Sequence, residues 1–263
     1  MKQGNNTIAV LIVVAAVALA PLAAAWGQLG GQGLGGSVGG GSQPPPPPPK
    51  TGGQSADLAA AKERAERARD NASRADYASR DAQEMAQRAR ATAETARRFA
   101  DQGGTRQNLQ NGGTYKGDLV GGKRMGYGVI QMTSGFRYEG EFRDDLYDGL
   151  AVMKLAGGEI YEGEMRQDLR GGRGINRWTD NQRYEGDYDR DRRNGFGVLT
   201  YPDGTILKGR WRNGEPDGPA VMIFKNGQIY EGEFREFKRS GYGILTFPSG
   251  TVQAGRWEND DLR

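Results

Sequence analysis

A period of 23 residues governs the second half of the sequence. Similar triplets recur without insertion, and a bulky apolar residue follows four positions after each triplet begins. The triplets begin at Tyr115, Tyr138, Tyr161, Tyr184, Leu207, Tyr230 and Gln253. A unit this short cannot bury a core alone, so neighbouring units must stack. The period therefore predicts a repeat array over residues 115–263, with six full units and a terminal half unit.

Each unit has the pattern of a β-hairpin. The triplet and the bulky residue mark a first strand, a loop of about six polar residues follows, and a Gly-x-Gly segment leading into Val or Ile marks a second strand. Two-residue turns with glycine five times, and asparagine once, in the second place come next. Both residue types tolerate the positive φ that tight hairpin turns require. We expect an antiparallel meander of thirteen strands, from seven first strands and six second strands.

The repeat sequence resembles a known family. Tyr-Glu-Gly-Glu-Phe at 138–142, Gly-Tyr-Gly at 241–243 and Pro-Ser-Gly at 248–250 are similar to MORN repeats. The resemblance implies an elongated single-layer antiparallel β-sheet that serves as a scaffold or binds a protein or a lipid, without catalysis. The departures from the family pattern are Leu207 and Gln253 in place of tyrosine, and Ala151 and Ala220 in place of the second glycine.

Periodic aromatic residues in the repeats have two interpretations. Stacked rings form the core of a thin sheet, which is the favoured interpretation because periodic aromatic residues usually pack. Alternatively, they line an exposed groove for a peptide, glycan or acyl chain, since a single-layer sheet cannot hide both faces. The candidate partner-binding residues are Tyr138, Tyr161, Tyr184, Tyr230, Phe142, Trp211, Phe234 and Trp257.

Arginines between the strands are candidate contacts for lipid phosphates. These residues are Arg166, Arg170, Arg173, Arg190, Arg192 and Arg193. Interspersed acidic residues favour solvated loops over a lipid site. Acidic pairs such as Glu139/Glu141 recur in several repeats, which indicates sheet decoration rather than one glycosidase-like site.

Residues 54–102 form an alanine-rich segment that predicts one long helix, because no Gly or Pro occurs between Ser55 and Asp101. Its apolar seam alternates spacings of three and four, which is the heptad pattern of a coiled coil. The seam is Leu58, Ala61, Ala65, Ala68, Ala72, Ala75, Ser79, Ala82, Ala86, Ala89, Ala93, Ala96 and Ala100. It resembles the alanine zippers of bacterial outer-membrane lipoproteins, which implies a homo-oligomer through residues 58–100. A solitary helix that acts as a stiff spacer is the alternative.

The first 53 residues predict export and a tether. Residues 1–26 have the pattern of a signal peptide cleaved after Ala25, or of a retained single-pass inner-membrane anchor. Either alternative places the bulk of the chain outside the cytoplasm, in the cell envelope (the bacterial periplasm). Residues 27–53 are rich in Gly and Pro and predict a disordered tether, and residues 103–114 predict a Gly-rich linker.

Composition narrows the class of function. The chain has no Cys and no His, which excludes disulfides, thiolate chemistry and imidazole bases. The net charge is only +3 and no segment concentrates it, so no nucleic-acid partner is expected. We therefore expect a non-enzymatic, exported scaffold without metal or cofactor, which binds a protein or lipid partner. The alternatives are a cell-envelope glycan-acting or glycan-binding protein that uses the aromatic face, and a lipid-surface binder.

Overall fold

The computed structural model describes residues 54–110 and 112–263, which belong to one compact unit. One helix, α1 (Gln54–Gln102), precedes a 15-stranded antiparallel sheet whose strands follow chain order. This architecture confirms the prediction of a mainly β chain with one long helix and a β-meander. The predicted signal or anchor and the tether, residues 1–53, lie outside the described residues. Within the described part of the chain, no helix is long and apolar enough to cross a membrane.

Thirteen strands, β2 to β14, correspond to the predicted alternation of first and second strands. The strands are β1 (Thr105–Leu109), β2 (Gly113–Val120), β3 (Lys123–Met132), β4 (Arg137–Arg143), β5 (Leu146–Lys154), β6 (Ile160–Arg166), β7 (Leu169–Arg177), β8 (Arg183–Asp189), β9 (Arg192–Thr200), β10 (Ile206–Arg212), β11 (Glu215–Ile223), β12 (Ile229–Arg235), β13 (Lys238–Thr246), β14 (Val252–Glu258) and β15 (Asp261–Leu262). Strands β1 and β15 extend the two edges. Residues 103–114, predicted as a Gly-rich linker, contain strand β1. The backbone of β1 pairs with β2, so it belongs to the sheet.

The glycine turns have the predicted backbone conformation but not the predicted length. Gly204 has φ +91°, and Asn181, the one asparagine substitute, has φ 70°. The turn at Gly204 is closed by hydrogen bonds from Gly204 N–H to Tyr201 O, 3.0 Å, and from Tyr201 N–H to Thr205 O, 2.8 Å. Only the last of the three residues between Tyr201 and Thr205 has positive φ. This is a three-residue hairpin loop, so the prediction of two-residue turns here is wrong.

The tight two-residue turns lie at the opposite ends of the hairpins, where we expected looser loops. Asp144 and Asp145, with φ 49° and 71°, join β4 to β5. Asp145 donates its N–H to Arg124 O, 3.1 Å, and its Oδ1 accepts the N–H of Arg124, 2.9 Å. These hydrogen bonds to the preceding repeat stabilise a left-handed backbone that non-glycine residues otherwise resist. The sequence hides the turn because most pairs at this place lack glycine.

Helix α1 lies on one face of the sheet and contacts every strand from β2 to β14. Its alanines pack on the apolar residues of the second strands, with Ala100 against Val129, Ala86 against Ile175 and Ala72 against Val221. Fourteen helical residues rise about 21 Å, and the four strands of two repeats span roughly 19 Å. One helical heptad therefore matches one 23-residue repeat.

The buried seam corrects the coiled-coil interpretation. Ala61, Ala75, Ala89 and Ala96 are fully buried by the rest of their own chain. The seam that the heptad pattern reserves for a partner helix is therefore covered by the sheet. The spacer alternative is also wrong, because α1 is a packed layer rather than a solitary helix. The sheet itself is a single layer, as expected, but one of its faces is sealed.

Alternation along each strand divides the repeat residues between two faces. In β4, Glu139 pairs with Val129 of β3, and Val129 packs on α1, so Glu139 shares the helix-covered face. Its neighbour Tyr138 points the other way. We call the helix-covered side the helix face and the opposite side the aromatic face.

Candidate functional site

The aromatic face is a core rather than an exposed groove. Tyr138 and Phe142 pack edge to face with ring centroids 5.0 Å apart, and Tyr230 and Trp257 do so at 5.2 Å. The eight predicted partner-binding side chains are at most 5% exposed: Tyr138, Tyr161, Tyr184, Tyr230, Phe142, Trp211, Phe234 and Trp257. This burial agrees with the interpretation that the sequence favoured, in which the aromatic rows form the core of the sheet. In this structure these rings are not available to a partner.

The tyrosine that begins most of the repeat triplets has a packing role that Tyr161 illustrates. A Cβ at Gly174, on the next strand, would lie 2.5 Å from the Tyr161 hydroxyl oxygen, so only glycine leaves room for the ring. The hydroxyl donates to the backbone oxygen of Glu164 at 2.8 Å. In the same core, burial raises the pKa of the Tyr188 hydroxyl to about 12. Such hydroxyls stay protonated and do not act as bases at neutral pH.

The first carboxylate of the recurring acidic pair binds α1. Arg90 Nε lies 2.6 Å from Glu162 Oε1, and where the sheet carries Lys208 the helix carries Asp76, with 2.8 Å between Nζ and Oδ1. The sheet–helix pairs are Glu139 with Arg97, Glu162 with Arg90, Glu185 with Gln83, Lys208 with Asp76, and Glu231 with Arg69. The helix partners are seven residues apart throughout. Four charge pairs and one hydrogen bond therefore set the register of α1 on the sheet.

Electrostatics at Glu162 show how tightly this carboxylate is held. Its burial acts to raise its pKa, but hydrogen bonds from Arg90 and Arg177 outweigh burial and leave the pKa below its ordinary value. Glu162 is therefore ionised at neutral pH and committed to two arginines.

The second carboxylate of the pair closes a β-bulge within its own hairpin. The pairing of β4 with β5 shifts between Gly140 and Phe142, and Glu141 Oε2 accepts the N–H of Leu150 there, 2.6 Å. Asp187 accepts the N–H of Phe196 in the same way, 2.8 Å. Both carboxylates of the pair thus support the fold, which agrees with sheet decoration. Among the described residues, no group of His, Cys, Asp or Glu could hold a metal ion.

The six predicted lipid-contacting arginines fall in three different places. Arg166, Arg190 and Arg192 are exposed, Arg190 within a tight turn and the other two beside tight turns. Arg170 and Arg193 lie on the aromatic face, where each guanidinium lies over aromatic rings. Arg173 lies on the helix face, paired with Asp81 of α1 and with Asp187. The arginines do not form one cationic surface.

A groove between α1 and the sheet is a further candidate site, and sequence reasoning missed it. It has a volume of about 370 Å³, and we call it the Tyr77 groove. Its lining residues are Asp70, Ser73, Arg74, Tyr77, Ala78, Arg173, Asp187 and Phe196. Tyr77 is 59% exposed. Arg74 lies 5.5 Å above the Phe196 ring, and Arg173 lies 5.8 Å from the Tyr77 ring. The available signal was a tyrosine off the alanine seam, on a helix face that is otherwise polar.

Comparisons with known proteins agree with the repeat boundaries of the structure. The MORN repeat family matches residues 115–137, 138–160, 161–183, 184–206, 208–229 and 230–252. No curated protein sequence matches the chain. One similar solved structure is a catalytically inactive variant of virginiamycin B lyase from Staphylococcus aureus with quinupristin, at 10% identity and a TM-score of 0.17. The similarity covers 58% of this chain and 54% of that chain.

The six matches together cover more than half of the sequence. Each match covers most of one first strand and all of one second strand of the sheet. The sequence periodicity, the hairpins and the family comparison therefore lead to one conclusion. The chain belongs to the MORN-repeat family.

Proposed function

We propose that this protein is an exported, non-enzymatic scaffold that recruits a protein partner through the Tyr77 groove. The observation that carries the proposal is an exposed aromatic ring in a groove built jointly by α1 and the sheet. The repeat residues that a partner would otherwise use are occupied, because α1 covers one face and the other face is a ring-packed core.

Charge in the groove favours a protein segment over a lipid headgroup. Arg173 is paired with Asp187 at 3.2 Å and also with Asp81, and Arg74 lies 3.6 Å from Asp70. The cations of the groove are thus balanced by carboxylates, whereas phosphate recognition needs uncompensated positive charge. An exposed tyrosine between neutralised arginines suits the apolar and aromatic side chains that dominate protein interfaces.

Other expectations from the sequence bear differently on the proposal. Glycan binding by the aromatic rows is not retained, because stacking on a sugar needs exposed rings and these are buried. Self-association through residues 58–100 is not retained either, because the alanine seam already covers the sheet. Membrane-retained and cleaved forms of residues 1–26 both fit the proposal.

Partner capture with a matched control tests the groove. Full-length protein tagged after Arg263 is used to capture partners from membranes, as wild type, Tyr77→Ser and Phe99→Ser. Phe99 is the other aromatic residue of α1, also exposed, and lies outside the groove. We expect Tyr77→Ser to lose about tenfold or more in retained partner, as for a truncated hot-spot residue, and Phe99→Ser to retain it.

Equal retention by both variants would refute the groove as the binding site. Flotation of the wild-type protein with vesicles of anionic phospholipid, unchanged in Tyr77→Ser, would instead favour the lipid alternative. Export is tested separately. A reporter that is active only in the cytoplasm should be inactive when it is fused after Arg263. The mass of the mature N-terminus distinguishes cleavage after Ala25 from a retained anchor.

A further inference from the structure

Successive repeats are joined on the aromatic face by a ladder of arginine–aspartate pairs. Arg170 donates its backbone N–H and its Nε to Asp191 Oδ1, at 2.8 and 3.2 Å, and its Nη2 to the backbone oxygen of Asp191, at 3.2 Å. The same three hydrogen bonds join Arg124 to Asp145 and Arg239 to Asp260. The aspartate is the second residue of the tight turn in the next repeat, 21 residues further on.

Two departures from the ladder show what the aspartate is for. Tyr147 stands where the arginine would be, and its N–H still donates to Asp168 Oδ1 at 2.7 Å. Pro216 has no N–H and no charge, and the turn residue opposite it is Phe237 rather than an acid. A carboxylate is thus present where there is an N–H or a cation to bind, and absent where there is neither.

Arg193 breaks this correspondence. Its turn residue is Gly214, which still donates its N–H to Arg193 O at 2.9 Å, so the turn is in the usual place but carries no carboxylate. A Cβ at Gly214 would meet nothing within 4 Å, so the space that the aspartate side chain fills in other repeats is open. Arg193 keeps its aromatic surroundings, with its guanidinium 4.6 Å from the Trp211 ring centroid and 5.7 Å from that of Phe237.

Electrostatics set Arg193 apart from the paired arginines. Burial lowers the pKa of Arg193, and the largest electrostatic effects on it come from Tyr188, Tyr184, Tyr201 and Arg170. At Arg170 burial also acts to lower the pKa, but Tyr188, Asp191 and Glu159 outweigh it, and the pKa is raised. Arg193 is therefore a half-buried cation whose usual counter-ion is missing.

We propose that Arg193 and the open space at Gly214 form a binding site for a carboxylate that a ligand supplies. One oxygen of the ligand replaces the missing aspartate Oδ1 and accepts the N–H and Nε–H of Arg193. Trp211 and Phe237 wall the site, so it favours a carboxylate on a short apolar stem. We infer a carboxylate because that is the group which binds the equivalent arginine in three other places of the ladder. The source is either an acidic side chain of a partner or a free monocarboxylate.

Propionate titration of the full-length protein tests the site. The Nε–H signal of Arg193 is followed by NMR against sodium propionate, with sodium chloride at the same ionic strength as reference. The variants are Gly214→Asp, which supplies the carboxylate from the chain, and Gly204→Asp, a matched control. Gly204 also has positive φ and open space around its Cβ position, with no arginine of the ladder opposite it.

We expect propionate, but not chloride, to shift the Arg193 signal in wild type and in Gly204→Asp. Gly214→Asp should weaken this response at least tenfold and should melt about 3 °C or more above Gly204→Asp, because a charge-assisted pair forms within the fold. No propionate response in wild type, or equal melting of the two aspartate variants, would overturn the proposal.

A second titration distinguishes the two sources of the carboxylate. Binding of an N-acetylated glutamate-containing tripeptide at least tenfold tighter than propionate identifies an acidic partner segment, and equal binding identifies a free monocarboxylate. Either result supports the site. The outcome is independent of the Tyr77 groove, because Arg193 lies on the aromatic face and the groove lies beside α1.

Discussion

The match between one helical heptad and one sheet repeat predicts that the helix–sheet register survives only when the two are deleted together. Removing Tyr161–Arg183 takes out one repeat and leaves α1 one heptad too long. Removing Gln87–Ala93 as well takes out the heptad that holds Arg90, the partner of that repeat. Every remaining pair on the helix face then regains its original register. We expect both variants to fold, since stacked repeats re-form their interfaces with the same period.

The two deletions should differ by about 3 kcal/mol in the free energy of unfolding. In the repeat-only deletion Glu139 moves opposite Arg90, and Arg97 then faces Lys116, a like charge. Ala96 and Ala100 lose their cover on Val129, which costs roughly 0.8 kcal/mol for each methyl group. The lost Arg97–Glu139 pair adds about 1 kcal/mol, a low figure because Arg97 is 45% exposed and solvent screens it.

Urea unfolding followed by far-ultraviolet circular dichroism measures the difference. The shorter, doubly deleted chain should have the higher midpoint, although it has lost more residues. A control deletion of Tyr161–Arg183 together with the seven residues Leu58–Arg64, near the N-terminal end of α1, removes equal length without restoring the register. If the repeat-only deletion is as stable as the matched double deletion, one helical heptad does not correspond to one sheet repeat.

Three further outcomes follow from the fold. The double variant Ala75→Asp, Ala89→Asp should destabilise the helix–sheet layer by several kcal/mol, because it buries unpaired charge. We expect the wild type to sediment as a monomer and the variant to sediment in the same way. Dissociation of a wild-type oligomer in the variant would contradict this. Gly204→Val should lower stability by about 1–3 kcal/mol because its φ is +91°, and unaltered melting would contradict it. The folded-state pKa of Glu162 is depressed below 4.5. The ionised carboxylate therefore stabilises the fold above pH 4.5, and this stabilisation is lost as pH falls through the folded pKa. The loss of unfolding free energy caused by Glu162→Gln should therefore be smaller at pH 3 than at pH 7.

The sequence alone determined the repeat architecture, because its evidence is local. Spacing of 23 residues, alternation within strands and the Gly or Asn residues at Gly204 and Asn181 all report conformation within one hairpin. These features were sufficient for the order of the strands β2 to β14 and for the family, and the absence of Gly and Pro between Ser55 and Asp101 was sufficient for the length of α1. They also favoured a core role for Tyr138 and its equivalents, which the close approach of rings to glycine explains.

Tertiary structure decided what each face contacts. A heptad seam reports that one side of a helix is buried, but not by what, and a rise of about 10.5 Å per heptad suits a hairpin repeat of roughly 9.6 Å as well as a partner helix. The tight turns escaped prediction because the turn at Asp144 and Asp145 depends on hydrogen bonds between Asp145 and Arg124, in another repeat. The same dependence hides Arg193, whose missing counter-ion is apparent only when residues 21 positions apart are brought together by the sheet.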